Sequence, residues 1–104
     1  MLIVFTTTPT IDEGETLAEA IVTAKLAACA QILPPMTSVY VWEGKLQKEN
    51  EYLLLIKTLP EKWDKLVAFI TANHSYDVPE IVAIDAAKAS EPYLDWLKLV
   101  TGNK

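Results

Sequence analysis

The chain predicts an α+β fold: one sheet carrying helices, in the order β-α-β-β-α-β, with an extra C-terminal helix. Three observations lead there. Continuous apolar runs at Leu2-Ile3-Val4-Phe5 and Tyr52-Leu53-Leu54-Leu55-Ile56 read as central strands. Apolar residues recur at helical spacing after Pro9, Pro60 and Pro92. Two strand-like stretches flank Glu43-Gly44, which reads as a hairpin turn.

Each element has its own local reason. Leu2 to Thr8 is β-branched and apolar, and Pro9 ends it. Thr10 and Glu13 have the spacing of a capping box, and Asp12 adds negative charge to the first turn. The first helix carries its stripe at Leu17, Ala20, Ile21, Ala24 and Ala28. Pro34-Pro35 then breaks the first arm of the hairpin, because neither proline donates a backbone hydrogen bond. Ser38 to Trp42 is a strong strand, and Lys45 to Leu59 is the long return arm. Pro60-Glu61 opens the second helix, with Trp63, Leu66, Val67 and Ile70 on one face and an end near Asn73. Ile81 to Ile84 reads as the fourth strand. Ser90 is the expected N-cap of the last helix, whose stripe is Tyr93, Trp96, Leu97 and Val100. This is the ferredoxin-like split arrangement, with an expected sheet order of 4-1-3-2 and a long hairpin between strands two and three. No linker divides the chain, so one domain is expected over residues 1–104.

Composition narrows the function. Hydrophobic residues make up 51% of the chain and charged residues 22%, which excludes disorder and low complexity. The lone cysteine, Cys29, excludes an intrachain disulfide framework and fits a reducing compartment. The net charge is −5 and every basic residue is lysine. Without arginine, the usual bidentate reader of phosphate and guanine, nucleic acid is not an expected partner. Nor is a membrane: no apolar run approaches a spanning helix, and the N-terminus lacks the basic start and apolar length of a signal peptide. A cytoplasmic location is therefore expected. Nucleophile elbow, Walker and dinucleotide-binding motifs are missing, so no enzyme is expected.

The third strand carries the strongest inference. Tyr52, Leu54 and Ile56 face one way; Leu53, Leu55 and Leu59 face the other. Two helices cover only one face of such a sheet, and the short last helix cannot hide the rest. A second copy of the chain is the expected cover, with the hairpin as its arm.

Lys25 to Ala30, Ser38 to Gly44, Glu51, Lys57-Thr58, His74-Ser75-Tyr76, Pro79-Glu80-Ile81 and Tyr93 to Trp96 occur in an order and spacing that resemble the CutA divalent-cation-tolerance family. The resemblance spans nearly the whole chain. It implies a ferredoxin-like subunit in a homotrimer, similar to that of the nitrogen-regulatory PII proteins, and a role in tolerance to divalent metals, copper in particular. It carries over no catalytic reaction. The family's His-His-Pro-Tyr segment reads Asn73-His74-Ser75-Tyr76 here, and the cysteine some members hold near the end of the first strand is replaced by Phe5-Thr6-Thr7-Thr8. A copper site of thiolate and imidazole is thus depleted.

His74 is the candidate metal ligand; its alternative is an exposed imidazole at a helix C-terminus. Cys29, Lys57, Tyr76 and Glu80 are the candidate ligand-binding residues, lining a cleft between subunits. Lys57 interrupts an apolar face, where it would hold an anion, pair with Glu51, Glu80 or Asp85, or reach into solvent. Tyr40, Trp42, Glu43 and Trp96 are candidate interface residues, Tyr40 and Trp42 because they lie on the projecting hairpin. Two rival readings are a trimeric interaction scaffold without pocket chemistry and a small ferredoxin-like enzyme using Glu80. An RNA-recognition module shares the element order but would need basic, aromatic central strands.

Overall fold

A computed structural model describes residues 1–102; Asn103 and Lys104, the end of the expected domain, lie outside the described residues. The elements are β1 (Leu2–Thr8), α1 (Ile11–Thr23), β2 (Cys29–Ile32), β3 (Met36–Trp42), β4 (Lys45–Thr58), α2 (Trp63–Asn73), β5 (Val82–Asp85) and α3 (Glu91–Val100). A single 3-10 turn, Pro60–Lys62, leads into α2. The strands form one antiparallel sheet ordered β2-β4-β1-β5, with β3 continuing along β4 beyond β2. With β2 and β3 taken as two pieces of one arm, this is the expected 4-1-3-2 order.

The prolines explain why the arm is in two pieces. Ile32 pairs with Leu54, and Met36 pairs with Glu51. Residues 33–35 therefore stand opposite residues 52–53 only, so the arm carries one extra residue around Pro34-Pro35. The offset places Ser38, Tyr40 and Trp42 on the same face of the ribbon as Glu51. At the far end Glu43 and Gly44 both have positive φ, 50° and 77°, the requirement of a two-residue turn matched to strand twist.

Helix α1 starts as its sequence dictates: Thr10 Oγ1 accepts the Glu13 N–H at 3.1 Å. It ends in a left-handed residue, Lys25 (φ 59°), with Lys25 N–H bonded to the Val22 carbonyl and Leu26 N–H to the Ile21 carbonyl. Gly14 lets the helix sit close to the sheet; a Cβ there would stand 2.9 Å from Thr8 Oγ1. Helices α1 and α2 cover one face of the sheet, where Val4, Ile21, Leu54, Ile56, Leu66 and Ile70 are fully buried. Each such side chain contributes about 1.5–3 kcal/mol relative to exposure.

The other face is covered only at one end. There α3 packs Leu97 against Ala28 and Leu59, with Met1 and Tyr93 alongside. The remainder of that face presents Ile3, Phe5, Leu53 and Leu55 half-buried, with Val82 and Ile84 about half exposed. The molecule measures 47 × 26 × 22 Å, and the β3-β4 hairpin leaves Val39, Val41, Trp42 and Leu46 exposed.

Candidate functional site

The site forms where β1 outruns β5. Strand β5 pairs with β1 only as far as Phe5, whereas β4 follows it to Thr8. Beyond Phe5 the free edge of β1 is met by the loop after α2. His74 Nε2 lies 2.6 Å from the Thr7 carbonyl oxygen. A carbonyl only accepts, so Nε2 carries the proton. The Tyr76 N–H then donates to Nδ1 at 3.0 Å, and both nitrogens of a neutral imidazole are used. Glu13 Oε2 lies 3.6 Å from Nδ1, beyond hydrogen-bond reach, and instead accepts from the Ser75 N–H and hydroxyl at 3.1 and 3.0 Å. Glu13 thus starts α1 through its backbone and ties down the loop through its carboxylate.

This tether sets Tyr76. Its ring lies 4.9 Å from the His74 ring, and its phenol donates to Glu51 Oε2 at 2.9 Å. The Thr7 hydroxyl donates to the same oxygen at 3.1 Å. Glu51 is 7% exposed. Burial, then the hydrogen bond and charge of Glu51, push the Tyr76 phenol well above the ordinary tyrosine value of 10.0. The phenol therefore remains a donor. Tyr40 is raised as well, first by burial and then by the charges of Glu49 and Glu51.

Glu51 and Tyr76 help to line a cavity of about 630 Å³, and Tyr40, Trp42, Asp77 and Glu80 are also in its wall. Of the candidate ligand residues, Tyr76 and Glu80 therefore meet here, together with two of the candidate interface aromatics. Cys29 and Lys57 do not. They are cross-strand partners at the other end of the same face, and six residues of β4 put Lys57 about 20 Å from Glu51. The pairing of Lys57 with Glu51, Glu80 or Asp85 is not formed: the ammonium stands 5.7 Å from the centre of the Tyr93 ring. Tyr93 also stacks at 5.6 Å on Trp96, which is 42% exposed. Glu43 is exposed in the hairpin turn.

His74 is neither exposed nor free. Its side chain is wholly buried and both ring nitrogens are engaged. Among the described residues no group of three or more His, Cys, Asp or Glu side chains could hold a metal ion. The described residues of one chain therefore do not by themselves bring together such a ligand set. Glu51 and Thr7 were not singled out as site residues; the alternation that puts Glu51 on the apolar face of Leu53 and Leu55 is the signal that points to it.

A family model described as CutA1 divalent ion tolerance protein matches residues 2–99. The chain belongs to the CutA1 divalent ion tolerance family. The chloroplastic protein CutA of Arabidopsis thaliana is 46% identical over 98% of this chain. The chain spans 56% of that relative's length, so it covers about half of it. The solved structure of the divalent cation tolerance protein from Thermus thermophilus is 43% identical, with a TM-score of 0.93 over 98% of this chain and 100% of that one. The CutA1 structure from Oryza sativa is 44% identical, with a TM-score of 0.94 over 99% of this chain and 94% of that one. The mixed α+β fold with its long hairpin is thus that of CutA1 structures.

Proposed function

We propose that this CutA1-family protein is a homotrimeric binding protein, one domain over residues 1–104, that serves divalent-cation tolerance by holding a small ligand or cation between subunits. The observation that carries the reading is the half-covered sheet face. Ile3, Phe5, Leu53, Leu55, Val82 and Ile84 form an apolar surface outside the cluster that α3 makes with Ala28 and Leu59, and the hairpin exposes Trp42 and Leu46. Such a surface favours association with further copies of the chain.

Assembly also reconciles the divided site. Cys29 and Lys57 lie far from Tyr76 and Glu80 within one chain, and a cleft between neighbouring copies is the way for the two groups to face a common ligand. Copper is the metal the sequence resemblance implies, and a site for it draws ligands from more than one copy, with Cys29 as the soft donor. Response to ligand in the manner of PII proteins, a cytoplasmic location and a non-enzymatic role complete the reading; nucleic acid and membrane are not its partners. Among the described residues no helix is long and apolar enough to cross a membrane.

The test is calorimetric titration of copper and zinc into the protein and into Ile84→Lys, which places a charge in the exposed apolar face. Metal binding that requires both Cys29 and the assembled form supports the reading. Metal binding retained by a dissociated Ile84→Lys chain contradicts it.

A further inference from the structure

Glu51 is a buried carboxylate with an unfinished coordination. One oxygen, Oε2, accepts from both the Thr7 and Tyr76 hydroxyls. The other, Oε1, accepts no hydrogen bond among the described residues, although the residue is 7% exposed and forms part of the cavity wall. Oε1 is not sealed from solvent and borders the cavity, so it is the side of this largely buried carboxylate that a donor on a bound ligand can reach.

The rest of the wall says what kind of donor. Its charged members are Glu51, Asp77 and Glu80, all acidic, with no lysine among them. An anion is disfavoured. Tyr40, Trp42 and Tyr76 supply aromatic surface, the usual complement of an organic cation. A hard metal ion needs several oxygens converging in one shell, and no cluster of three or more acidic, His or Cys ligands occurs among the described residues. Tyr76 keeps its phenolic proton, directed at Glu51, and so offers no phenolate to a metal.

We propose that the cavity between the hairpin and the 74–80 loop binds a small alkylammonium ion, its charged nitrogen on Glu51 Oε1 and its methylenes against Tyr40 and Trp42. A primary ammonium donates in three directions, enough for Glu51 and one of the outer carboxylates. A second ammonium on the same ligand reaches the Asp77 and Glu80 side of the wall, which makes a short diamine the best-matched class. The cavity, at about 630 Å³, has ample room for one. The inference rests on the proposed binding role, and takes the ligand to sit on this acidic wall without Lys57, which is about 20 Å from Glu51 along β4.

The probe is butane-1,4-diamine, titrated calorimetrically at low ionic strength into the full chain. Magnetisation transfer from its methylenes to the Trp42 and Tyr40 ring protons is read in the same samples. The expected result is saturable binding, transfer to both rings, and at least about tenfold weaker binding by Glu51→Gln, since a hydrogen bond to a charged group is lost. Circular dichroism establishes that the variant is folded, and the transfer experiment on the unaltered protein needs no variant. Absence of both heat and ring transfer overturns the proposal, as does diamine binding that Glu51→Gln leaves unchanged. A change of mass in Glu51→Gln without any diamine binding by the parent also overturns it, assigning Glu51 to assembly instead. Diamine binding by a chain that scatters light as a single copy supports this inference while removing the trimer reading, so the two fail separately.

Discussion

Tyr76 and Glu51 are joined by a 2.9 Å hydrogen bond across 25 residues of sequence, from the loop after α2 to the middle of β4. The phenol must keep its proton to make it. In the folded state the Tyr76 pKa lies above its ordinary value of 10.0, for reasons of burial and the Glu51 charge. Its stabilising contribution is therefore complete below pH 10.0 and is lost as pH rises toward and through the folded value. The stability difference between the parent and Tyr76→Phe is expected to be constant near neutrality and to shrink above about pH 10. Urea denaturation at a series of pH values measures it, and a difference that grows with alkalinity contradicts the assignment.

Thr6 is fully buried in the middle of β1, and its Oγ1 has no hydrogen-bond partner among the described residues. A buried hydroxyl without a partner costs about 1–3 kcal/mol. Thr6→Val keeps the branched shape and removes that cost. It is expected to stabilise the fold by about 1 kcal/mol or more, read from the denaturation midpoint at unchanged slope. A destabilised variant would show that the hydroxyl is satisfied.

Lys25 holds the left-handed position after α1 with φ 59°. A residue with a Cβ pays roughly 1–2 kcal/mol there, partly offset by the lower chain entropy it has when unfolded. Lys25→Gly is expected to raise stability by about 0.5–1 kcal/mol. Thermal unfolding monitored by circular dichroism checks this, and a lower melting temperature refutes the strain argument.

Gly14 is the converse case. Its α-helical backbone suits any residue, but a Cβ would stand 2.9 Å from Thr8 Oγ1 and 3.5 Å from a Leu54 methyl. The Thr8 hydroxyl is held by its bond to the Thr10 carbonyl and has little freedom to yield. Gly14→Ala is expected to cost about 1–3 kcal/mol despite alanine's better helix propensity. Equal or greater stability would mean that α1 lifts from the sheet without penalty.

The fold was legible because its signals are local. Thr10 and Glu13 announced the start of α1, Pro34-Pro35 announced the break in the hairpin arm, and the stripe Trp63, Leu66, Val67, Ile70 announced α2, of which Leu66 and Ile70 are fully buried. The site was less legible because its contacts are long-range. Thr7 meets Glu51 across 44 residues and His74 across 67, and no spacing rule connects them. His74 shows the difficulty most plainly. As the only histidine it draws attention as a ligand, yet its place is fixed by an unpaired edge of β1 that no local pattern reveals. Lys57 was readable as an oddity on an apolar face, but its aromatic partner, Tyr93, comes from a helix 36 positions later whose packing angle the sequence does not encode locally.

The claim on which the shared cleft depends is that the open face of the sheet, from Ile3 and Phe5 to Val82 and Ile84, is closed by other copies of the chain. Sedimentation equilibrium at low micromolar concentration tests it most directly. The expected species has three times the chain mass of 11.6 kDa, and Ile84→Lys shifts it toward smaller forms. A folded species of 11.6 kDa that persists as concentration rises would contradict the account.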